Sequence, residues 1–401
     1  MSEWKKVKLR DIASAIQTGP FGSQLHQSDY SDIGVPVVMP KDIINGCIDE
    51  STIARVESHH VERLSRHKIS EGDILYARRG DVSKCAYAVF AQQGWLCGTG
   101  CLRVTIDKEK AIPKFIFFQL QKRETIGWVE KHAIGATMLN LNTSILGDVP
   151  IELPLLSIQH RIATILSRYD SLIENYQKQI KLLEESAQRL YKEWFIDLRF
   201  PGHENTKIVD GVPEGWEKGI LDNIAYEAGK KIDKKYRENY GCYMPIDCLP
   251  KKSLTYIESA SILLAESSLV SFKKGDIIFG AMRPYFHKVC FAQSEGLTRT
   301  TCFVLNSRLN EYREYLLMLM FEDSTVKHAT SISVGTTMPY TRWKDLKSME
   351  ILIPDKKTVV LFGKEICKIT EALQDFSLQI RYLTETRDRL LPKLMSGEIK
   401  V

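Results

Sequence analysis

Apolar residues along this chain keep two different rhythms, and the pair of rhythms occurs twice. The first is a set of short apolar and β-branched runs bounded by Gly, Pro or Asp, at residues 35–38, 73–77, 86–90, 101–106 and 149–153. Runs of this length and composition predict strands. A helical stretch, 113–121, lies among them. The second rhythm starts at Ile158. Ile158, Ile162, Ile165, Tyr169, Leu172, Tyr176, Ile180, Leu183, Ala187, Leu190 and Trp194 follow in steps of mostly four and three, with Ile180 taking over where Gln179 interrupts the seam. No Pro or Gly falls between Ser157 and Leu198. A sustained heptad with charged flanks predicts one long coiled-coil helix. The plain alternative, a buried helix in a compact core, would need a helix about threefold longer than the average one.

The same sequence of elements then returns. Strands are expected at 276–279, 288–292, 301–305 and 349–353, with a helix at 311–321. A second heptad follows in Val359, Phe362, Ile366, Ile369, Leu373, Phe376, Ile380, Leu383 and Leu390, broken once at Arg387 and free of Pro or Gly from Gly363 to Pro392. At 1.5 Å per residue these are rods of roughly 50–60 Å. Two matched seams in one chain pack most simply on each other, antiparallel.

The recurrence is visible residue by residue. Trp4 opens a ten-residue stretch that reappears at Trp216, and Met39-Pro40 with Asp42 reappears as Met244-Pro245 with Asp247. Glu71-Gly-Asp-Ile-Leu75 returns as Lys274-Gly-Asp-Ile-Ile278, and Gly135-Ala-Thr-Met138 as Gly335-Thr-Thr-Met338. From Trp4/Trp216 to Leu146/Leu346 the offset shrinks from 212 to 200 residues. A duplicated unit that lost a few loop residues drifts in one direction; chance matches scatter. The expected architecture is α+β: two similar mixed α/β domains separated by two long antiparallel coiled-coil helices, pseudo-twofold symmetric. The boundaries expected are 1–155 for the first domain, 156–198 for the first helix, 199–355 for a linker and the second domain, and 356–401 for the second helix and tail. The linker is the turn-rich stretch from Phe200 to Lys207. Met138 and Met338 are expected to plug cores.

Composition narrows the function. The chain has 401 residues, 44% hydrophobic and 26% charged, with net charge +5. This is a globular composition with a mild basic excess that permits an anionic partner. The nine cysteines are scattered, and the nearest pairs, Cys97/Cys101 and Cys242/Cys248, lack the two-residue spacing of a zinc or redox pair. Free thiols in a reducing compartment are expected. With no signal peptide at MSEWKKVKLRD and no apolar run near the roughly 20 residues of a membrane span, a cytoplasmic location without a membrane partner is expected. Catalytic signatures do not emerge. There is no Gly-x-Gly-x-x-Gly or Walker loop and no Asn/Asp-Pro-Pro-aromatic tetrapeptide. His59-His60 is adjacent rather than spaced for one helix face, Glu398-Ile-Lys400 has no positioned carboxylate before it, and His26, His67 and His132 find no clear counterpart in the second copy. A binding scaffold without metal, cofactor or catalytic residues is the reading.

Four loops could bind. After the Gly-Asp strand, the first copy carries Arg78, Arg79 and Lys84, and the second carries Arg283, Tyr285, His287 and Lys288. Arg can grip a guanine edge with two hydrogen bonds and Lys can hold a phosphate. The early loop has Gly22 and Ser23 in one copy, and Lys230, Lys231 and Lys235 interleaved with Tyr236 and Tyr240 in the other, a pattern suited to a phosphate backbone. Lys41 stands where the second copy has Ile246. Thr137 and Asn140 stand opposite Thr337 and Tyr340. One frame with exchanged side chains fits one fold reading two targets. Solvated basic loops and structural turns are the plainer alternatives.

These residues carry a resemblance. Gly19-Pro-Phe-Gly-Ser-Gln-Leu25, Gly72-Asp-Ile-Leu75 with Arg78, the Gly-Ala-Thr block running into Ile151-Glu-Leu-Pro-Leu155, Ile162-Ala-Thr-Ile-Leu166, Tyr191-Lys-Glu-Trp-Phe195 and Leu390-Leu-Pro-Lys-Leu-Met-Ser-Gly-Glu-Ile399 span nearly the whole chain. In that order it resembles the specificity (S) subunit of type I restriction-modification enzymes. The resemblance implies two target-recognition domains that each read one half of a split duplex DNA target. It also implies helices that set the gap and dock partners, and no catalysis in this chain. Two modification subunits with S-adenosylmethionine would methylate adenine, and restriction subunits would use ATP and Mg. The chain departs from the family at the helix starts. Family members often carry Pro-Leu-x-Glu-Gln there; this chain has Pro154-Leu-Leu-Ser-Ile-Gln159 and Pro354-Asp-Lys-Lys-Thr358. Two other readings are the recognition part of a fused methyltransferase-nuclease, and a coiled-coil adaptor that binds no DNA.

Overall fold

The computed structural model describes residues 4–135 and 137–401. Ala136 of the Gly-Ala-Thr block and the first three residues lie outside them. The chain forms two compact units, Met1–Asp170 with Glu385–Val401, and Ser171–Thr384.

In the first unit, four antiparallel strands lie in the order Ala13–Thr18, Cys101–Ile106, Ile74–Ala77, Cys85–Tyr87. Cys101–Ile106 alternates buried and half-buried side chains over most of its length, the period-two signature of a strand with one face on the core. Ile74–Ala77 is buried throughout, as a strand covered on both faces must be. The helix Pro113–Leu120, opened by its proline, drives Phe115, Ile116 and Phe118 into the same core. A smaller sheet joins Leu96–Cys97, Val35–Val38, Ala54–Val56 and Tyr30–Ser31, and Lys5–Lys8 pairs with Pro150–Leu153.

The second unit repeats this plan. Its main sheet runs Ala225–Glu227, Cys302–Ser307, Ile277–Gly280, Val289–Phe291, and Glu217–Ile220 pairs with Glu350–Ile353. Its smaller sheet has Lys230–Ile232, Leu269–Phe272 and Gly296–Arg299. The repeat extends to single bonds. Gly72 N donates to Ala88 O at 2.9 Å and Gly275 N to Ala292 O at 2.8 Å. These glycines hold φ of 92° and 88°, a region that costs other residues a Cβ clash. The aspartates behind them, Asp73 and Asp276, are buried and accept from Ser70 N and Lys273 N, each at 2.7 Å. The recurring Gly-Asp is a turn glycine followed by a buried cap.

The two long helices are Leu156–Tyr191, continued by a π turn at Lys192–Ile196, and Lys356–Met395. In the first unit, Ile162, Ala163 and Leu166 share a core with Leu394 and Met395, and Leu390 packs against it. In the second unit, Tyr176 meets Phe376 with ring centroids 5.2 Å apart, and Trp194 meets Phe362 at 5.6 Å. Rising numbers on one helix meet falling numbers on the other, so the pairing is antiparallel. Leu183, Leu190, Ile369 and Leu383 pack against this seam. The π turn adds one residue to the turn and lets neighbouring Trp194 and Phe195 both bury. The helix starts are fastened by side chains. Gln159 is buried, accepting from Ile112 N at 2.9 Å and donating to Pro154 O at 2.8 Å, and Asp355 accepts from Thr358 N at 3.1 Å and Trp216 Nε1 at 2.9 Å.

Two expectations need correction, the seam position of Leu172 and the core positions of Met138 and Met338. Leu172 is 46% exposed and Ile173 is buried in its place, because a 3.5-residue seam drifts on a helix of 3.6 residues per turn. Tyr169 is half-buried, as are Tyr176, Leu183 and Leu190 of the same seam. The second helix runs through Pro392 to Met395; the proline forfeits one amide bond, and burial of Leu394 and Met395 holds the last turn. Met138 and Met338 are 64% and 57% exposed, at hairpin tips rather than in cores. Phe200, in the turn-rich linker, is buried 4.8 Å from Trp216, so the start of the linker packs within the second unit.

Candidate nucleic-acid interface

One backbone frame recurs in both units. In the first, Arg78 N donates to Gly100 O at 2.8 Å, Leu141 N to Arg78 O at 2.8 Å, and Gly80 N to Leu139 O at 3.0 Å. In the second, Ala281 N donates to Thr301 O at 2.9 Å, Thr341 N to Ala281 O at 3.0 Å, and Arg283 N to Pro339 O at 2.7 Å. The structural counterpart of Arg78 is therefore Ala281, and Arg283 stands where the first copy has Gly80. Gly80 and Arg283 are both left-handed, at φ 79° and 50°. A side chain of Arg283's bulk is uncommon there. Its bond to Pro339 and a guanidinium bond to Thr337 O at 3.4 Å hold it. The two arginines thus spring from the same frame, two residues apart.

Both arginines carry a buried Nε donor with no protein partner, and the Asn140 Oδ1, an acceptor, is likewise buried without one. A buried unsatisfied donor costs about 1–3 kcal/mol. The protein therefore leaves both guanidinium groups incompletely bonded. The Arg78 guanidinium lies 5.9 Å from the ring of Phe21, itself 52% exposed. Gly22 and Ser23 are exposed in the same turn, Arg79 is exposed and bridges to Asn140, and Thr137 is exposed. Lys84 is exposed and pairs with Asp81 at 3.7 Å. Lys41 is exposed, but its ammonium donates to Thr52 O at 2.9 Å.

In the second unit, Tyr285 is 51% exposed and leans on Phe286, whose ring lies 4.6 Å from the Lys251 ammonium. Thr337 is exposed; Tyr340 is half-buried, with its hydroxyl donating to Thr300 O at 3.2 Å. Lys230 and Lys231 are exposed on the edge strand of the smaller sheet. Lys235 is exposed, 4.9 Å from the Tyr236 ring.

His287 and Lys288 are corrections. His287 is 5% exposed, with Nε2 2.9 Å from Phe321 O and Nδ1 3.1 Å from the Asp323 carboxylate. Burial pulls its pKa down against the attraction of Asp323. Lys288 turns inward and donates to Ile246 O at 2.6 Å. The backbone is left-handed at both Arg283 and His287, bracketing the tight turn Pro284–Phe286. That turn leaves Tyr285 in solvent and puts His287 inside as a latch. Phe21 and Lys251 were not among the sequence candidates; an aromatic inside Gly-Pro-Phe-Gly was the available signal for the first.

Forked guanidinium donors, amide and hydroxyl groups and exposed rings suit base edges and phosphates. Among the described residues, no group of three or more His, Cys, Asp or Glu is placed to hold a metal, and no helix is long and apolar enough to cross a membrane. Burial pushes the Cys85 and Cys97 thiols up to about 12, which leaves them unreactive.

Residues 1–185 and 213–386 match the family model described as the type I restriction modification DNA specificity domain. The chain is 26% identical over 421 residues to the type I restriction enzyme MjaIX specificity subunit of Methanocaldococcus jannaschii, covering 100% of this chain and 94% of that one. It is 21% identical over 469 residues to the HindI specificity subunit of Haemophilus influenzae, covering 100% of both. The crystal structure of the type I restriction-modification system S subunit from M. genitalium has the same fold, at TM-score 0.62 and 17% identity over 98% of this chain and 96% of that one.

Proposed function

We propose, from the premise that this chain belongs to the type I restriction modification DNA specificity family, that each globular repeat reads one half of a split duplex target and that the two long helices fix the interval. The chain is a DNA-specificity subunit, and catalysis lies in other subunits of the restriction-modification assembly. The modular reading is carried by one observation: a common hydrogen-bond frame bears Arg78, Arg79 and Asn140 in one unit and Ala281, Met282 and Tyr340 in the other. One frame with two side-chain sets fits two different half-sites.

Each reader alone has few donors. Two readers on a stiff spacer gain affinity because the second engagement is effectively intramolecular, and the same stiffness rejects other spacings. In this reading two modification subunits, supplied with S-adenosylmethionine, methylate adenine in the target. Restriction subunits using ATP and Mg join that core, in the cytoplasm. Methylation mapping of the host genome with and without this gene tests the reading. A two-part adenine-methylated motif with a fixed gap should vanish when the gene is removed. A motif that persists, or one that is contiguous, would sink it.

A further inference from the structure

The residues that flank the Gly-x-Thr-Met segment pair in the same way in both units, and each segment leaves its methionine in solvent. Ile134 and Asn140 exchange backbone bonds at 3.0 and 2.8 Å, and Val334 and Tyr340 at 3.0 and 2.9 Å. Gly135 and Gly335 turn the chain at φ 124° and 102°, and a Cβ on Gly135 would fall 2.3 Å from the Met138 carbonyl oxygen. Beyond these turns stand Ile134 and Met138, 61% and 64% exposed, and Val334 and Met338, 55% and 57% exposed. Isolated apolar residues at a surface need no explanation. A matched pair at equivalent tips does.

Around these tips the two copies differ in chemistry. Arg79 bridges Asn140 in one, and Met282 bridges Tyr340 in the other. The exposed methionine stays the same, and the exposed β-branched residue before the glycine is Ile134 in one copy and Val334 in the other. Side chains that change fit what differs between two half-sites; side chains that do not change fit what both share. The segments themselves are basic, although Arg342 pairs with Asp345 at 2.6 Å, and burial and the Glu227 carboxylate raise the Tyr340 pKa. Residues 131–142 and 327–342 contain no carboxylate but include Lys131, His132, Lys327 and Arg342. Arg283 bonds to the Thr337 carbonyl on the hairpin itself, and the backbone of exposed Arg79 pairs with that of Asn140. An apolar tip beside exposed lysines and the Arg283 guanidinium fits a polyanion whose groove walls are apolar sugars and base edges. It matches an apolar protein patch poorly.

We infer that Met138 and Met338 press into a groove of duplex DNA as sequence-tolerant apolar contacts, one at each half-site. The inference rests on the DNA-reading role proposed above and adds a contact that role does not require. Apolar wedges, methionine among them, grip and open a groove without reading its bases. They also displace no counterions, so their loss leaves the salt dependence of binding alone.

The test uses the full-length chain assembled with its modification subunits, and a duplex carrying the motif found by methylation mapping. Met138→Ala and Met338→Ala should each weaken binding about tenfold, the value of burying most of one apolar side chain. The ranking of half-site variants and the slope of log Kd against log salt should not change. Met138→Leu and Met338→Leu should bind like the wild type. Undiminished affinity in the double alanine variant overturns the inference. So does a salt slope lowered by about one, which marks a lost phosphate contact. Loss of modification-subunit assembly at full DNA affinity overturns it too, in favour of a protein contact. A wild-type assembly that does not bind the duplex overturns the DNA-reading role itself, and is told apart because the defect precedes any substitution.

Discussion

Arg387 donates from its guanidinium to the Asp170 carboxylate at 2.9 Å, linking the second long helix to the first within one compact unit. It does so where the heptad of the second helix asks for an apolar residue. Asp388 takes a second bond from Arg387 at 2.8 Å, and Lys114 lies 3.9 Å from Asp170. Both members of the pair are only 27% exposed. Removing one partner strands the other in a half-desolvated site, while removing both leaves an ordinary apolar seam. Asp170→Asn should therefore cost about 1–2 kcal/mol, and Arg387→Leu less, since Lys114 still faces Asp170. Asp170→Leu with Arg387→Leu should recover the wild-type melting temperature or exceed it. A double variant less stable than either single one would show that the pair contributes more than it costs.

Arg78 and Arg283 give the sharpest test of modular reading. Each keeps a buried Nε without a protein partner, and the two sit in separate units. A bidentate contact to a base edge is worth about 1–3 kcal/mol of discrimination. Arg78→Ala should relax one half of the motif by about tenfold to a hundredfold, and Arg283→Ala the other half. Lysine should not rescue either, because it lacks the planar fork. Selection from duplexes randomised in one half at a time reads this directly. Equal loss in both halves would contradict independent readers.

These two arginines also show where sequence reading succeeded and where it ran out. The Gly-Asp pairs were legible because a turn glycine and a buried cap leave the same two letters in both copies. The heptads were legible because burial repeats over ten turns, although a 3.5-residue count cannot see the drift that exchanges Leu172 for Ile173. Setting Arg78 beside Arg283 placed both on the right loop and two residues out of structural register. Nothing in the letters marks left-handed backbone at a non-glycine such as Arg283 or His287, and that backbone decides that Tyr285 faces solvent and His287 does not. Met138 and Met338 were misplaced because residue type argues for burial, whereas a glycine turn and a two-bond hairpin hold them out.

Helix length should set the gap between half-sites if the ruler reading holds. Removing one heptad from each long helix, in register, preserves the seam and shortens the rod by about 10 Å. At 3.4 Å per base pair that is about three base pairs. The variant should methylate a motif with unchanged half-sites and a gap shorter by about three. The same gap at full activity would reject the helices as the ruler; changed half-sites would show that the readers themselves had been disturbed.

Glu184 predicts a pH dependence. It lies on the first long helix, 7% exposed, and accepts from Ser253 Oγ at 2.6 Å and Leu254 N at 2.7 Å. Burial raises its pKa above the ordinary 4.5, and hydrogen bonds from Ser253, the Leu254 backbone and the Thr255 backbone pull only part of the way back. Between 4.5 and the raised value, the folded chain holds this proton more tightly than the unfolded chain does. Raising the pH through that window therefore costs stability, and lowering it restores stability. Glu184→Gln keeps an oxygen to accept both bonds and has no charge to desolvate. Its melting temperature should equal or exceed the wild type's at pH 8, and the wild-type slope across the window should flatten. Glu184→Ala should instead lose about 1–3 kcal/mol at every pH, because the Leu254 amide is left without its acceptor. Melting temperatures of the three proteins from pH 4 to pH 8 separate these outcomes, and a glutamine variant with the wild-type slope would assign the pH response to another group.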